Sequence, residues 1–304
     1  MMSSESGEQD VRGVSVIGLG AMGAGIAGTL IEAGWRVSVW NRSRHKVDAL
    51  VSAGAVACET PRDALECNEH VIVCLADYAT WMKVVEEHAL THAMSGTCLI
   101  QLTGGDIDQV RAHASLIESH GGRLADGAVM CYPRQLGTAA GSLLMSGTPE
   151  VLEECAPFLR ALAPDWTNLG EDVTRPVVLS RSLTSGYLVS LLGFLNGMAM
   201  CRSAGIPLDQ YMRHVDMANA FLPEEKRRLL DAVQDGRTDE TQASVATWAG
   251  GHQTMHSVAE ALGTNLVLQD AVGTVLREGM RAGLGDHDLS ALIQTFNSHT
   301  PPSC

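Results

Sequence analysis

The chain has 304 residues, 45% hydrophobic and 18% charged, and its 21 basic and 35 acidic residues give a formal net charge of −14. That length buries a real core in one large domain or two ordinary ones. The acidic balance, with no basic block, argues against a nucleic-acid backbone as partner.

The first residues, MMSSESGEQD, have neither the basic start nor the apolar stretch of a signal peptide. Residues 1–10 and 299–304 are expected to be disordered tails. Polar residues interrupt every apolar run before about 18 residues, so no membrane span is expected. The eight cysteines are scattered without a CxxC pair, and Cys74 and Cys98 fall inside apolar runs. That pattern suits reduced thiols acting as small hydrophobes in a cytoplasmic protein, with neither a disulfide frame nor a metal site.

From Val14 onward, short β runs alternate with helical patterns. VSVIG (14–18) is a strand, Met22–Ala33 a helix, RVSVWN (36–41) a strand and Ser43–Ala53 a helix. HVIVCL (70–75) and TCLIQL (97–102) are further strands, each with a helical pattern after it, and RLADGAV, SLLMSG and WTNLG read as later ones. Alternation of this kind predicts a largely parallel sheet covered on both faces. Beyond residue 172 the strands stop. A helix over 176–204 ends at Gly205, with Pro207 just after it. Helices follow over Leu208–Asn219, Glu224–Asp235, Ser244–Leu262, Leu266–Ala282 and Asp288–Phe296. The division is an α/β domain over 11–172 and, over 173–298, a long interdomain helix with an all-α domain.

Gly18-Leu19-Gly20-Ala21-Met22-Gly23 closes the first strand and opens the first helix. In that context GxGxxG is the dinucleotide fingerprint of a Rossmann domain. The first glycine makes the turn, the second admits a pyrophosphate and the third allows close helix packing. An NAD site usually carries an acid at the end of the second strand, to accept from the ribose 2′-hydroxyl. Here Asn41-Arg42-Ser43-Arg44-His45-Lys46 contains none. Cations and hydroxyl donors suit a 2′-phosphate, so NADPH is the expected cofactor, held by Asn41, Arg42 and Ser43 with Lys46 one turn on. Cys74, Leu75 and Thr103, where later strands end, complete the expected cofactor wall.

VIGLGAMGAGIAGTLIEAGWRVSVWNRSRHK resembles the opening of the β-hydroxyacid dehydrogenase superfamily, which includes 3-hydroxyisobutyrate dehydrogenases and imine reductases. IQLTGGDIDQVRAHA, GAVMCYPRQLGTAAGSLLMSG and the run around GGHQTMHSVAEALGTN and GMRAGLGDHDLSALI are similar to the imine reductase branch. The resemblance covers nearly the whole chain. It implies a domain-exchanged homodimer with a 6-phosphogluconate dehydrogenase-like C-terminal domain, and a cleft in which hydride passes from NADPH to a C=N carbon. The expected substrate is a small cyclic imine or iminium, with no nucleic acid and no membrane involved. Two alternatives stand beside it: a hydroxyacid dehydrogenase-like enzyme acting on C=O or C–OH, and an NADPH-binding scaffold or sensor with reduced catalysis.

The resemblance also places a Lys, Asp or Tyr acid on the long helix, at the position of Ser180 or, one residue on, Arg181. Neither residue is a proton donor of that kind. Ser180, Thr184 and Tyr187 share one helix face and are the catalytic candidates. Gly186, Ser190, Gly193 and Gly197 form a second stripe, read as close helix packing. Either Tyr187 supplies the proton or the substrate arrives as an iminium and needs only hydride; the second is favoured. Tyr132, Arg181 and Trp248 are the candidate substrate-pocket residues. His252 and His256 sit one helical turn apart, but no acid completes an HExxH pattern, so no metal is expected.

Overall fold

The computed structural model describes residues 13–296; the expected disordered tails, 1–10 and 299–304, lie outside the described residues. Contacts divide the chain into two compact units between Ser185 and Gly186. This boundary falls inside the long helix, whereas the sequence division was drawn near residue 172, where the strands stop.

The first unit is built on an eight-stranded sheet of order β3-β2-β1-β4-β5-β6-β7-β8. Its strands are β1 (Gly13–Ile17), β2 (Arg36–Trp40), β3 (Val56–Ala57), β4 (His70–Val73), β5 (Cys98–Gln101), β6 (Arg123–Val129), β7 (Leu143–Ser146) and β8 (Thr167–Asn168). All pairings are parallel except β6 with β7, where Asp126 stands opposite Ser146 and Val129 opposite Leu143. The helices between them are α1 (Ala21–Glu32), α2 (Arg44–Val51), α3 (Pro61–Cys67), α4 (Tyr78–Glu87), α5 (Ile107–Ser119) and α6 (Pro149–Leu162).

Side chains alternate across a strand, and the core follows that rule. Ile72 of β4 and Ile100 of β5 join a cluster with Ile26 and Leu30 of α1 and Phe158 of α6. Their neighbours Val71, Val73 and Leu99 join the opposite cluster with Leu65 of α3, Trp81 of α4 and Ile117 of α5. Both faces are therefore covered, which is why these strands read as continuous apolar runs.

Helix α7 (Arg175–Ser203) runs from the first unit into the second. It ends as expected: Gly205 has φ +72, and the Ile206 N–H donates back to Cys201 O at 2.9 Å. Contrary to the sequence expectation, α7 is long and apolar enough to cross a membrane by length and composition, with a mean hydropathy of 1.3 over its most apolar window. Its polar residues interrupt the run without lowering the window average below that of a span. Only 11% of the window is buried within this chain, and Leu183, Leu188, Leu192 and Leu195 are exposed. The stripe of small residues also differs from its reading. A Cβ on Gly197 would meet the Tyr211 hydroxyl at 2.1 Å, so that glycine admits a neighbour, but Gly186 and Gly193 face nothing within 4 Å.

The rest of the second unit is helical: α8 (Leu208–Asn219), α9 (Leu222–Asp235), α10 (Val245–Ala261), α11 (Val267–Arg281) and α12 (Ile293–Phe296). The last expected helix opens as a 3-10 turn, Leu289–Leu292, because Asp288 caps it from a fully buried position. Burial works against the Asp288 carboxylate, but bonds from Ser290, Thr241 and Arg228 hold its pKa down at about 2.

Candidate active site

Two cavities lie at the C-terminal ends of the strands in the first unit, where open α/β sheets bind ligands. The first, of about 410 Å³, is lined by the glycine turn, Asn41, Arg42, Ser43, Lys46, Cys74 and Leu75. The second, of about 240 Å³, is lined by Met22, Cys74, Leu75, Thr103, the β6 stretch Asp126–Met130 and Ser180, Arg181 and Thr184 of α7. Met22, Cys74 and Leu75 belong to both linings. The two cavities therefore adjoin along these three side chains, between the basic loop and the first turns of α7.

The first cavity fits a dinucleotide phosphate. Gly18 has φ +97, and its turn carries the chain from β1 to α1. A Cβ on Gly23 would sit 1.9 Å from Gly18 O, while Gly20 has nothing within 4 Å, which leaves backbone open to a ligand. No side chain caps α1 and its first turn holds no acid, so its N–H groups and dipole are available to an anion. Asn41 braces the turn, accepting from the Leu19 N–H at 3.0 Å and donating to Ser43 O at 3.2 Å.

The structure separates the basic residues that the sequence left together. Arg44 is engaged, donating to Glu59 at 2.9 Å and pairing with Asp48. Arg42 and Lys46 are exposed cavity-lining residues with no ion pair among the described residues. Ser43 stands at the N-cap of α2 without a capping bond. These are the groups a 2′-phosphate needs.

Thr103 and Cys74 shape the passage between the cavities. The Thr103 hydroxyl accepts from the Leu75 N–H at 3.1 Å and is within 3.4 Å of Val73 O, tying the ends of β4 and β5 together. Burial pushes the Cys74 thiol up to about 11, so it is a neutral wall. The next turn is set by a reciprocal cap: the Gln109 N–H donates to Asp106, and the Asp106 N–H donates to Gln109.

The catalytic candidates fare unequally. Ser180 is 5% exposed and lines the second cavity, but its hydroxyl donates to Val177 O at 3.1 Å. The Thr184 hydroxyl donates to Ser180 O at 2.8 Å. Both protons are thus held by the helix backbone, and each oxygen keeps only acceptor capacity for a ligand. Arg181 lies close over the Gly104–Gly105 turn that follows β5; a Cβ on Gly104 would come 2.6 Å from its guanidinium. Tyr187 is 60% exposed, belongs to the second unit and is not in this lining, and the same holds for Trp248 at 45%. Tyr132 also lies outside the lining; its ring is stacked under Arg134, 5.1 Å from the guanidinium carbon.

Sequence reasoning passed over Asp126. It is 3% exposed, lies on β6 and is the sole carboxylate in the second cavity's lining. The Tyr78 hydroxyl donates to it at 2.6 Å. Burial raises its pKa to about 7, against the opposing pull of the Tyr78 bond. The signal was present: an acid inside an otherwise apolar strand, in register with Gln101 of β5. Behind Tyr78, His113 accepts from Trp81 Nε1 at 2.7 Å, and burial lowers its pKa to about 4.

The rings of His252 and His256 lie edge-on, 6.4 Å between centroids, but take different partners. His256 Nε2 is 3.0 Å from Asp270, while His252 is buried against Gly273. His70, Cys98 and Cys155 do gather within 4.8 Å of one another. Contact with Cys98 and burial both raise the Cys155 thiol. The described cysteines are all free.

A doubly covered parallel sheet with a glycine turn, a basic 2′-phosphate loop and an adjoining cavity at the strand ends defines a nicotinamide-dinucleotide oxidoreductase. The NAD binding domain of 6-phosphogluconate dehydrogenase matches residues 13–170, and the C-terminal domain of NADPH-dependent reductive aminase-like proteins matches residues 181–298. The chain belongs to this family, in the imine reductase branch of the β-hydroxyacid dehydrogenase superfamily.

It is 26% identical over 290 residues to the NADPH-dependent reductive aminase of Aspergillus oryzae, covering 93% of this chain and 96% of the relative. Among solved structures, the imine reductase of Myxococcus stipitatus in complex with NADP+ superposes with a TM-score of 0.89 at 28% identity, over 93% of this chain and 99% of that one. The imine reductase of a Pseudomonas species gives 0.87 at 27%, over 94% and 99%.

Proposed function

We propose that this protein is an NADPH-dependent imine reductase, transferring hydride to the carbon of a C=N bond in a small cyclic imine or iminium. The observation that carries the reading is the shared lining of the two cavities. Arg42, Ser43 and Lys46 would hold the adenine-side phosphate, and Met22, Cys74 and Leu75 would line the passage to the nicotinamide end in the cavity that Ser180 also lines. NADPH supplies the hydride when bound. Thr103 and Gln101 hold the strand ends that set the floor, and Ser180 and Thr184 offer oxygen lone pairs from the roof. No lysine lines the second cavity, which separates it from the hydroxyacid dehydrogenase pattern.

The site is completed, in our reading, by a second copy of the chain. The exposed apolar residues of α7 and of the second unit supply the face such a partner covers, and Tyr187 and Trp248 are assigned to the substrate pocket of that dimer. A helix covered in this way serves a soluble, cytoplasmic homodimer and not a membrane.

The test follows NADPH consumption with a cyclic imine, with a ketone and with no substrate. Imine-dependent consumption with amine formed in equal amount is expected. Consumption with the ketone alone overturns the C=N assignment, and none with any substrate overturns the enzyme itself.

A further inference from the structure

Ser180 and Thr184 have given their protons to the helix backbone and Tyr187 lies outside the second cavity's lining, so the α7 hydroxyls in that lining leave the proton of a C=N reduction unassigned. The second cavity contains one other group able to hold it. We propose that the Asp126 carboxyl is the catalytic acid: it passes its proton to the substrate nitrogen as hydride arrives at the carbon. This rests on the C=N reading above.

The geometry points to Asp126 from several directions. β6 carries it to the cavity beside Gly127 and Ala128, and α7 places Val177, Ser180 and Arg181 in the same lining. From α4, Tyr78 donates to its Oδ2 at 2.6 Å. From the flanking strands, Gln101 and Ser146 stand beside it in register, so three polar residues form a row across β5, β6 and β7. Gln101 Nε2 and Ser146 Oγ are buried without a hydrogen-bond partner among the described residues. Buried polar atoms of this kind are uncommon away from functional sites. From α5, the neutral ring of His113 packs edge-on against Tyr78, 5.3 Å between centroids, and brings no charge. The facing groups are thus Tyr78, Gln101, Ser146, His113, Ser180 and Arg181, of which Arg181 alone carries a charge near neutrality.

Burial supports the same role. A carboxylic acid with a pKa of about 7 holds its proton near neutral pH yet releases it readily, which is what a general acid requires. Tyr78 is a positioning residue. Burial and the adjacent carboxylate raise its own pKa, so its hydroxyl keeps its proton and stays a donor throughout.

The step balances. The proton leaves Asp126 for nitrogen, and hydride leaves C4 of the nicotinamide for carbon. The products are amine, NADP+ and the Asp126 carboxylate, which takes a proton back from water. A substrate that arrives as an iminium meets the carboxylate as its counter-charge. That pair has the same proton count as neutral imine and protonated Asp126, so the two routes open in the sequence become one.

The experiment compares wild type, Asp126→Asn and Tyr78→Phe on a weakly basic cyclic N-aryl imine and on its N-alkylated iminium. For Asp126→Asn, the rate on the neutral imine should fall about 10²–10⁴-fold, with NADPH affinity unchanged and iminium reduction retained to within about tenfold. In wild type, kcat/KM on the neutral imine should fall as pH rises through about 7, and Tyr78→Phe should move that limb upward by removing a bond to the carboxylate. Infrared titration of the NADPH-free protein gives a readout independent of turnover. A protonated-carboxyl band should titrate near neutrality and vanish in Asp126→Asn. Unchanged rate and pH profile in Asp126→Asn, or a carboxyl that ionises in the usual range, overturns the assignment. Wild type inactive on every imine, with the infrared titration intact, overturns the C=N reading instead.

Discussion

Replacing Asp126 by Asn should stabilise the fold above neutrality, by an amount that burial sets. The folded protein holds the Asp126 proton more tightly than the unfolded chain does, with a pKa of about 7 against the usual 3.8. As pH rises from about 4 to about 7, that group therefore withdraws stability, at most about 4 kcal/mol by linkage. His113 acts in the opposite sense. Its pKa is lowered from 6.5 to about 4, so its contribution is present above 6.5 and is lost as pH falls toward 4; the loss is at most about 3 kcal/mol. In wild type the two slopes oppose each other across this window and largely cancel. Asn keeps the shape of the side chain and still accepts from Tyr78, but it does not titrate. Urea unfolding at half-unit steps from pH 4 to 8 is the assay. The variant should match wild type near pH 4, exceed it increasingly up to pH 8, and gain stability with rising pH as His113 deprotonates. A stability difference between variant and wild type that is constant across the range would refute the reasoning.

Arg42→Ala should weaken NADPH binding by about 10- to 150-fold, the worth of one charge-assisted contact of about 1.5–3 kcal/mol, and leave NADH nearly unchanged; isothermal titration with both nucleotides checks it. Gly23→Ala should abolish dinucleotide binding or unfold the first unit, because the added carbon falls 1.9 Å from Gly18 O; fluorescence titration and a thermal melt separate the two. Ser180→Ala and Thr184→Val each remove a hydroxyl that donates to its own helix, so each should lower imine turnover by less than about tenfold, within the range of an ordinary neutral bond. Light scattering at micromolar concentration should report a dimer, and an active monomer would contradict the shared pocket.

The cofactor half of the site was legible because its information is local. Gly18, Gly20 and Gly23 lie within one turn, and Asn41–Lys46 follows the next strand directly. What the sequence could not do was divide Arg42 from Arg44. That depends on Glu59, which the fold brings within 2.9 Å of Arg44. The strands were legible because burial on both faces makes them apolar throughout. The reversal of β7 was not, since the residue pattern of a strand reads alike in either direction. Asp126 was hidden for a related reason. Its partner Tyr78 is 48 residues away, and the link between them exists only once α4 packs against the sheet. The helix candidates were legible in their spacing and not in their hydrogen bonds. Shared-face spacing correctly aligned Ser180 with Thr184, but it cannot show that both hydroxyls turn back on their own backbone.

The brace at Asn41 has a consequence for how cofactor preference drifts between lineages. Its side-chain oxygen already accepts from the Leu19 N–H, a task that an aspartate oxygen performs equally well. Exchange of Asn for Asp at this one position keeps the acceptor for Leu19 but gives up the bond to Ser43 O, while setting a negative charge beside Arg42, where a 2′-phosphate is repelled and a 2′-hydroxyl is welcomed. Here the brace on Leu19 and the selection at the 2′ position reside in different properties of the same side chain, its lone pair and its charge, so a single base change shifts the charge of the loop while the glycine turn keeps its acceptor.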